Sequence, residues 1–257
     1  MYPKKSLGQH FLTSTGAIED ILDAGDVTGD DQILEVGPGK GVLTEKLIEF
    51  ADKVIAIEKD RDLIPLLEEK FAKEIKKGKI SILEQDILEF DPSTIQGEYK
   101  LIANLPYYIT GQFIRKFLET EFQPERMVLM LQKEVAERIA RSEKESILSI
   151  SVKAYGTPFY IKTVKAGSFF PAPNVDSAIL AINDISKEFF KGFTEEHFFT
   201  LLHAGFQSKR KKLSSNLSAV APKEKVKEVF LSLALDDNTR AEDLSLENWR
   251  KIAIALV

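Results

Sequence analysis

Short apolar runs that predict strands alternate, over much of the chain, with segments whose apolar residues recur at helical spacing. Such alternation is typical of parallel sheets, because two parallel strands need a long crossover between them, usually a helix. The pattern therefore predicts a mostly parallel, doubly wound α/β sheet. The predicted strands are 32–36, 53–57, 79–83, 99–103 and 127–132, and the clearest predicted helices are 15–24 and 42–50.

The ends of four predicted strands carry residues suited to ligand binding. The first strand ends at Val36 and runs into a glycine turn. Glu58 and Asp86 place carboxylates at the ends of the next two strands, and Asn104 places an amide at the end of the fourth. Ligands of open α/β sheets bind beyond the carboxyl ends of the strands. We therefore expect these positions to line one rim of the sheet and to bind a ligand there.

The glycine turn, Gly37-Pro38-Gly39-Lys40-Gly41, lets the backbone come close to a nucleotide-like ligand. Its spacing differs from the dinucleotide-binding pattern G-x-G-x-x-G, and the chain has no phosphate-binding loop with G-K-[ST]. About 20 residues further on, the Glu58 carboxylate can accept both hydroxyls of a ribose. Together with Asp86 near an adenine, these features favour S-adenosylmethionine over a nicotinamide cofactor or ATP.

The segment Asn104-Leu105-Pro106-Tyr107, directly after the apolar run 99–103, is the main candidate for chemistry. The Asn104 amide oxygen and the carbonyl of Leu105 or Pro106 can accept the hydrogens of a planar amine attached to an aromatic ring. That amine is a poor nucleophile because its lone pair is delocalised into the ring, and two acceptors pull the lone pair out of the ring plane. Tyr107 offers a ring for stacking. The simpler alternative is an Asx-Pro turn with a core tyrosine.

Composition narrows the class of protein. The 257 residues with 44% hydrophobic content allow one large domain, alone or with a small appendage. The absence of cysteine excludes disulfides and thiolate metal sites, and three scattered histidines argue against a metal centre. No apolar run approaches the roughly 20 residues of a membrane span, and the N-terminus lacks the apolar segment of a secretory signal. These features predict a cytoplasmic protein without membrane association.

The end of the chain differs from the rest in pattern and charge. After a strand-like run at 178–182 the apolar spacing becomes helical, so we place a boundary near Ser186, with domains 1–185 and 186–257. The first domain begins with an arm that we expect to dock on the core, because its apolar residues Leu7, Phe11 and Leu12 need a surface to pack on. The second domain has 12 Lys and Arg against 10 Asp and Glu, although the whole chain carries a net charge of −5. Its basic run predicts contacts to RNA phosphates, and a solvated surface is the alternative. The run is Lys209, Arg210, Lys211 and Lys212, and further basic candidates are Lys4, Lys5, Arg115, Lys116, Arg138 and Arg141.

Five segments occur in the same order as in the rRNA adenine N6,N6-dimethyltransferases, a family that the sequence resembles over nearly its whole length. The segments are Leu7-Gly8-Gln9-His10-Phe11-Leu12, Glu35-Val36-Gly37-Pro38-Gly39-Lys40-Gly41, Asn104-Leu105-Pro106-Tyr107, Leu129-Met130-Leu131-Gln132-Lys133-Glu134 and Phe169-Phe170-Pro171-Ala172-Pro173-Asn174-Val175-Asp176-Ser177. The resemblance is greatest to bacterial members that act on the small subunit. Two positions depart from the family: His10 stands where Asn is frequent, and Asn174 where Lys is frequent. The second departure removes a possible phosphate contact.

The resemblance implies a Rossmann-like methyltransferase domain with a seven-stranded, mostly parallel sheet, followed by a small C-terminal α-helical domain that recognises rRNA. It implies S-adenosylmethionine as cofactor and S-adenosylhomocysteine as product. By position, the cofactor contacts are expected at His10, Leu12, Gly37, Glu58, Asp86 and Asn104. The expected catalytic residues are Asn104, Leu105, Pro106, Tyr107 and Phe169, with the rings of Tyr107 and Phe169 on opposite faces of the target base.

The implied substrate is a pair of adjacent adenosines in the hairpin loop near the 3′ end of small-subunit rRNA, in the immature small subunit. We expect a monomer. Two alternatives stay open: a resistance methyltransferase that modifies large-subunit rRNA, and an assembly or transcription factor that keeps the fold without catalysis. The segment 169–177 and the residues around 207–216 favour the small-subunit enzyme. The intact glycine turn and asparagine segment favour catalysis.

Overall fold

The structure is a computed structural model that describes Lys4 and residues 8–257. The sequence analysis assigned everything before Ser186 to one domain, whereas the contacts between residues group 137–156 with the C-terminal part of the chain. The assignment of the parts to catalysis and RNA recognition stays a prediction. The two compact units are the residues up to Ala136 with Thr157–Ile185, and Glu137–Gly156 with Ser186–Val257.

The first unit is organised around a sheet that has seven strands within the described part of the chain. The strand order is β4-β3-β2-β5-β6-β9-β7; the neighbours from β4 to β6 are parallel, and β9 runs antiparallel to both β6 and β7. The predicted Rossmann-like, mostly parallel sheet is thus confirmed. The strands are β1 (Phe11–Leu12), β2 (Gln32–Val36), β3 (Lys53–Glu58), β4 (Ile80–Glu84), β5 (Lys100–Asn104), β6 (Arg126–Gln132), β7 (Thr157–Val164), β8 (Phe169–Phe170) and β9 (Ser177–Asn183).

Helices of the first unit pack on its sheet through their apolar residues. The helix α1 begins after Ser14, whose hydroxyl oxygen accepts a hydrogen bond from the Ala17 backbone N–H at 3.3 Å, and it buries Ile18 and Ile21 in the core. The predicted helices 15–24 and 42–50 are confirmed as α1 and α2. The helices before β7 are α1 (Thr15–Gly25), α2 (Val42–Phe50), α3 (Ile64–Lys70), α4 (Ala72–Lys76), α5 (Thr110–Glu119), α6 (Lys133–Ala140) and α7 (Ile147–Tyr155).

The N-terminal arm, defined here as Lys4 and residues 8–13, packs within the first unit. Its strand β1 pairs antiparallel with β8, with Phe11 opposite Phe170 and Leu12 opposite Phe169. Phe11 and Leu12 are buried in the core, as expected of an arm whose apolar residues need a packing partner. Leu7, which the prediction also placed in this arm, lies outside the described residues.

The second unit is helical, as the spacing of its apolar residues predicted. Its core includes Phe198 and Trp249, both fully buried. A Cβ atom at Gly205 would lie 2.4 Å from the Trp249 ring, so only glycine allows this packing. Within the described part of the chain, no helix is long and apolar enough to cross a membrane. Besides α7, the helices are α8 (Glu195–Phe206), α9 (Leu213–Leu217), α10 (Lys223–Ser232) and α11 (Leu246–Ala255).

Candidate active site

A cavity of about 220 Å³ lies at the rim where the sequence predicted ligand binding. Most of the predicted site residues line it together. Leu12 does not, because its side chain is buried in the hydrophobic core. Phe169 lines the cavity although its side chain is only 5% exposed. The predicted residues in the lining are His10, Gly37, Glu58, Asp86, Asn104, Leu105, Pro106, Tyr107 and Phe169.

The glycine turn brings the end of β2 close to its neighbours. Gly37 has a φ of +73°, and a Cβ atom there would lie 3.0 Å from the backbone oxygen of Asn104. Gly39 has a φ of +59°, and its Cβ atom would lie 2.9 Å from the Phe11 ring. A side chain at either position would therefore be strained. It would also press against β5 if placed at Gly37, and against the N-terminal arm if placed at Gly39.

Glu58, the last residue of β3, is held in one orientation by the backbone. One carboxylate oxygen accepts the Gly39 N–H at 3.1 Å, and the other accepts the Asp60 N–H at 2.8 Å. Burial raises the pKa of Glu58, and these two hydrogen bonds only partly oppose the rise. The carboxylate thus presents its remaining lone pairs to the cavity from a fixed position.

Asp86 has an ion-pair partner that the sequence analysis did not anticipate. One of its oxygens lies 2.6 Å from the Lys59 ammonium nitrogen, and the other accepts the Leu88 N–H at 3.0 Å. Partial burial alone would raise the pKa of Asp86, but the Lys59 ammonium and the hydrogen bonds outweigh it and hold that pKa below its usual range. Asp86 is therefore an ionised acceptor whose charge is balanced within the cavity wall.

Asn104 is oriented by the arm. Its side-chain nitrogen donates to the carbonyl oxygen of His10 at 3.3 Å, which assigns the amide oxygen to the opposite side. The carbonyl oxygen of Pro106 accepts the Ile109 N–H at 3.2 Å in a short turn. Among the described residues, none donates a hydrogen bond to the carbonyl oxygen of Leu105. At the end of β5, Asn104 and Leu105 therefore supply two further acceptors for a ligand, besides Glu58 and Asp86.

Tyr107 is fixed at both its face and its hydroxyl group. Its hydroxyl lies 2.8 Å from that of Ser177, and its ring is stacked on His10 with ring centres 6.3 Å apart and planes at 19°. Burial raises the pKa of Tyr107, with Ser177 opposing. The ring is half-buried and lines the cavity. Tyr107 is therefore placed at the cavity rather than fully buried in the core, and its role in stacking a base stays a prediction.

Sequence reasoning missed the residues that hold the site residues in place. Ser177, which contacts Tyr107, is 70 positions from it in the sequence. Asp60 contacts Gln9 of the arm and is 51 positions from Gln9. The one available signal was that Ser177 ends the segment 169–177 and Asp60 follows Glu58 by two residues. Neither spacing predicts a contact by itself.

The basic run lies in the second unit, between α8 and α9. All four of its side chains are exposed. The buried Asn216 fixes the preceding backbone, because its side-chain nitrogen donates to the carbonyl oxygens of Gly205 at 2.6 Å and Ser208 at 3.1 Å. Of the further basic candidates, Lys4 pairs with acidic residues and Arg115 pairs with Glu119 at 2.7 Å. Lys5 lies outside the described residues.

Fold and site together define the class of protein. The sheet order, the antiparallel β9, the glycine turn after β2 and the acidic residue at the end of β3 are those of an S-adenosylmethionine-dependent methyltransferase. The chain belongs to the ribosomal RNA adenine dimethylase family, which it matches over residues 2–257. The family expected from the sequence is thus confirmed.

Relatives agree in sequence and in fold. The chain is 44% identical over 262 residues to ribosomal RNA small subunit methyltransferase A of Dehalococcoides mccartyi, covering 98% of this chain and 87% of the relative. A dimethyladenosine transferase from Plasmodium falciparum has a similar structure, with a TM-score of 0.80, 27% identity and coverage of 95% and 96%. The 23S rRNA methyltransferase ErmE also has a TM-score of 0.80, with coverage of 96% and 99%, but at 23% identity it supports the fold alone.

Proposed function

We propose that this enzyme dimethylates N6 of two adjacent adenosines in the 3′-terminal hairpin loop of small-subunit (16S) rRNA, during assembly of the small subunit in the cytoplasm. The observation that carries the proposal is the pair of acceptors at the cavity rim, the Asn104 side-chain oxygen and the Leu105 carbonyl. The family and the curated small-subunit relatives support the choice of substrate. We further propose that it acts as a monomer on the immature subunit.

The chemistry of the cavity wall fits S-adenosylmethionine. The Glu58 carboxylate suits a ribose diol, the ionised Asp86 suits an adenine amino group, and Ile57 with Ile87 provides apolar walls for the adenine ring. We assign the remaining cofactor contacts to His10, Gly37 and Asn104, which line the cavity. When bound, this cofactor supplies an electrophilic methyl group on a sulfonium and leaves as S-adenosylhomocysteine. Because the methyl group is already activated, the proposed reaction needs no metal.

Asn104 and Leu105 prepare the target amine. Two acceptors on the two N6 hydrogens withdraw the lone pair from the ring and direct it toward the methyl group. As the nitrogen–methyl bond forms and the methyl–sulfonium bond breaks, the nitrogen would become cationic and would release one hydrogen as a proton to solvent. The contribution is orientation and charge stabilisation, so no general base with a shifted pKa is required. Pro106 shapes the turn, and its own carbonyl is already engaged by Ile109.

Aromatic rings hold the base outside the RNA stack. Removing an adenosine from a loop costs a few kcal/mol, and stacking on an aromatic side chain contributes about 1 to 3 kcal/mol per face. We assign one face to Tyr107, whose ring is fixed by Ser177 and His10. We assign the other face to Phe169, which also lines the cavity. The exposed basic run at 209–212 is proposed to contact rRNA phosphates.

Transfer of labelled methyl groups tests the proposal against both alternatives. Unmethylated small subunits, large subunits and free rRNA are incubated separately with the enzyme and labelled S-adenosylmethionine, and the nucleosides are then analysed. We expect N6,N6-dimethyladenosine in the small subunit. Label confined to the large subunit would favour the resistance type of enzyme, and tight subunit binding without label would favour an assembly factor.

A further inference from the structure

The N-terminal arm crosses the cavity and touches several parts of its rim. The Gly8 Cα lies against Pro106 and Tyr108, since a Cβ atom added there would be 3.6 and 3.7 Å from their side chains. The His10 ring nitrogen Nδ1 donates to the carbonyl oxygen of Pro171 at 2.7 Å, while the His10 carbonyl oxygen accepts from Asn104. A displaced arm would therefore remove a cavity wall and the orienting partner of Asn104 together.

Asp60 holds the other end of this arm. Its carboxylate is almost fully buried and lies 2.5 Å from the Lys4 ammonium nitrogen and 2.7 Å from the Gln9 amide nitrogen. Gln9 in turn accepts the Lys4 backbone N–H at 2.7 Å. Asp60 therefore connects to Gln9 and to Lys4, whose side chain is 37% exposed and whose ammonium nitrogen also lies 2.6 Å from the Asp62 carboxylate.

The same residue is tied to the carboxylate assigned to the cofactor ribose. The Asp60 backbone N–H donates to Glu58 at 2.8 Å, and the Asp62 N–H donates to the Asp60 carboxylate at 3.1 Å. The backbone N–H of Asp60, in the short loop after β3, thus fixes Glu58, and the side chain of Asp60 binds the arm. Nothing in the catalytic chemistry requires a carboxylate at position 60, and its placement is explained by this connection.

We propose that Asp60 is a positioning residue that, through Lys4 and Gln9, clasps the N-terminal arm over the cofactor cavity and so keeps the His10 carbonyl on the Asn104 amide. This inference rests on the proposed function. Without the clasp the arm detaches at its Lys4 end, the cavity loses the wall formed by Gly8 and Gln9, and Asn104 loses its fixed orientation. Weaker cofactor binding and slower methyl transfer follow from the one change.

Binding of S-adenosylhomocysteine, measured by calorimetry without any RNA, tests the clasp independently of the substrate. We expect Lys4→Met and Asp60→Asn each to weaken binding about 3- to 10-fold, the range expected for a partly buried ion pair. Lys4→Arg should restore most of the affinity. Lys46→Met is the matched control, because it removes an exposed ion pair with Glu49 on α2, outside the cavity lining, and should leave binding unchanged.

A double variant separates the clasp from a general loss of stability. If Lys4 and Asp60 act through their mutual contact, the affinity of the Lys4→Met/Asp60→Asn protein for S-adenosylhomocysteine should be no lower than the lower of the two single-variant affinities. Amide hydrogen exchange should rise in residues 8–13 of Lys4→Met while the midpoint of thermal unfolding stays unchanged. Wild-type affinity in both single variants, or losses that multiply in the double variant, would overturn the proposal. Failure of the proposed function would appear instead in the identity of the methylated RNA.

Discussion

The side-chain nitrogen of Asn104 donates a hydrogen bond to the backbone carbonyl oxygen of His10 at 3.3 Å. This contact links the end of β5 with the N-terminal arm, and it leaves the Asn104 side-chain oxygen as an acceptor at the cavity. An amide that could flip would present its donor to an adenine amine half of the time. The arm therefore gives the amide the polarity that the proposed reaction needs.

Replacing Asn104 by alanine should separate binding from chemistry. The Asn104→Ala enzyme loses one of the two acceptors for the N6 hydrogens, and loss of such a group typically costs about 100- to 1,000-fold in kcat. It should still bind immature small subunits, because the stacking and phosphate contacts are intact. Single-turnover methylation and subunit binding by sedimentation measure the two effects. Loss of subunit binding together with methylation would contradict the separation.

Glu58→Gln should weaken S-adenosylhomocysteine binding about 10- to 100-fold, the range expected for hydrogen bonds to a charged group. In the wild type, ribose hydroxyls donate best to the ionised carboxylate, and burial has raised the pKa of Glu58. Affinity should therefore fall on acidification at a higher pH than for an ordinary glutamate. Calorimetric titrations across pH check this, and an equally steep acid loss in Glu58→Gln would exclude Glu58 as its origin.

Glu35 makes a pH-dependent contribution to stability. It is 1% exposed, and neither carboxylate oxygen has a hydrogen-bond partner among the described residues. Burial raises the pKa of Glu35 from 4.5 to about 8; negative Glu58 adds to the rise, while nearby Thr44 and Lys70 oppose it. Between these two pH values the folded protein holds a proton that the unfolded chain has released. Rising pH therefore favours unfolding, by at most about 1.4 kcal/mol per pH unit.

The Glu35→Gln protein should lack this dependence. Unfolding both proteins with denaturant between pH 5 and pH 8.5 gives their free energies of unfolding. The wild-type value should fall relative to that of the variant as pH rises toward the raised pKa of Glu35. Above that pKa the difference between the two values should stay constant. Glu49→Gln, an exposed change on α2, serves as the control. A wild-type and variant difference that stays constant across this range would refute a protonated Glu35.

The sequence predicted the strands that are apolar on both faces. β2, β3, β5 and β6 are buried runs of the kind that parallel sheets require, and their predicted limits differ from the observed ones by at most one residue. The strand β7 was not located. It is an edge strand in which exposed and half-buried residues alternate over most of its length. Its short apolar run, 159–161, directly follows a proline, which argues against a strand.

Site residues were predictable where they lie at strand ends, and their partners were not. Glu58 and Asn104 follow from the rule that ligands bind beyond the carboxyl ends of parallel strands. The orienting contact of Asn104 joins residues 94 positions apart, and the Lys59 pair with Asp86 joins residues 27 positions apart. Such contacts depend on the assembled rim, which local spacing does not encode.

Tyr107 and Ser177 should behave as a coupled pair. Tyr107→Ala removes a stacking face worth about 1 to 3 kcal/mol, so kcat/KM for small subunits should fall by about 5- to 150-fold. Ser177→Ala should have a smaller effect, and none when added to Tyr107→Phe, because the hydroxyl contact is already lost. Steady-state kinetics of the wild type, the three single variants and the Tyr107→Phe/Ser177→Ala double variant check this. An unchanged rate in Tyr107→Ala would remove the stacking assignment.

The basic run should affect RNA binding and leave the cofactor site alone. Changing Lys209, Lys211 and Lys212 to glutamine should weaken binding to small subunits and make its salt dependence shallower, because fewer counterions are released. Affinity for S-adenosylhomocysteine should not change. The same change at Lys223, Lys225 and Lys227, at the start of α10, is the control. Equal losses from the two triple variants would indicate a general charge effect.

The most direct measurement is mass spectrometry of nucleosides from unmethylated small subunits incubated with S-adenosylmethionine and either the wild type or Asn104→Ala. We expect N6,N6-dimethyladenosine at two adjacent positions of the 3′-terminal hairpin loop with the wild type, and formation that is slower by about 100- to 1,000-fold with the variant. Dimethyladenosine formed equally well by Asn104→Ala, or modification found only on large subunits, would contradict the account.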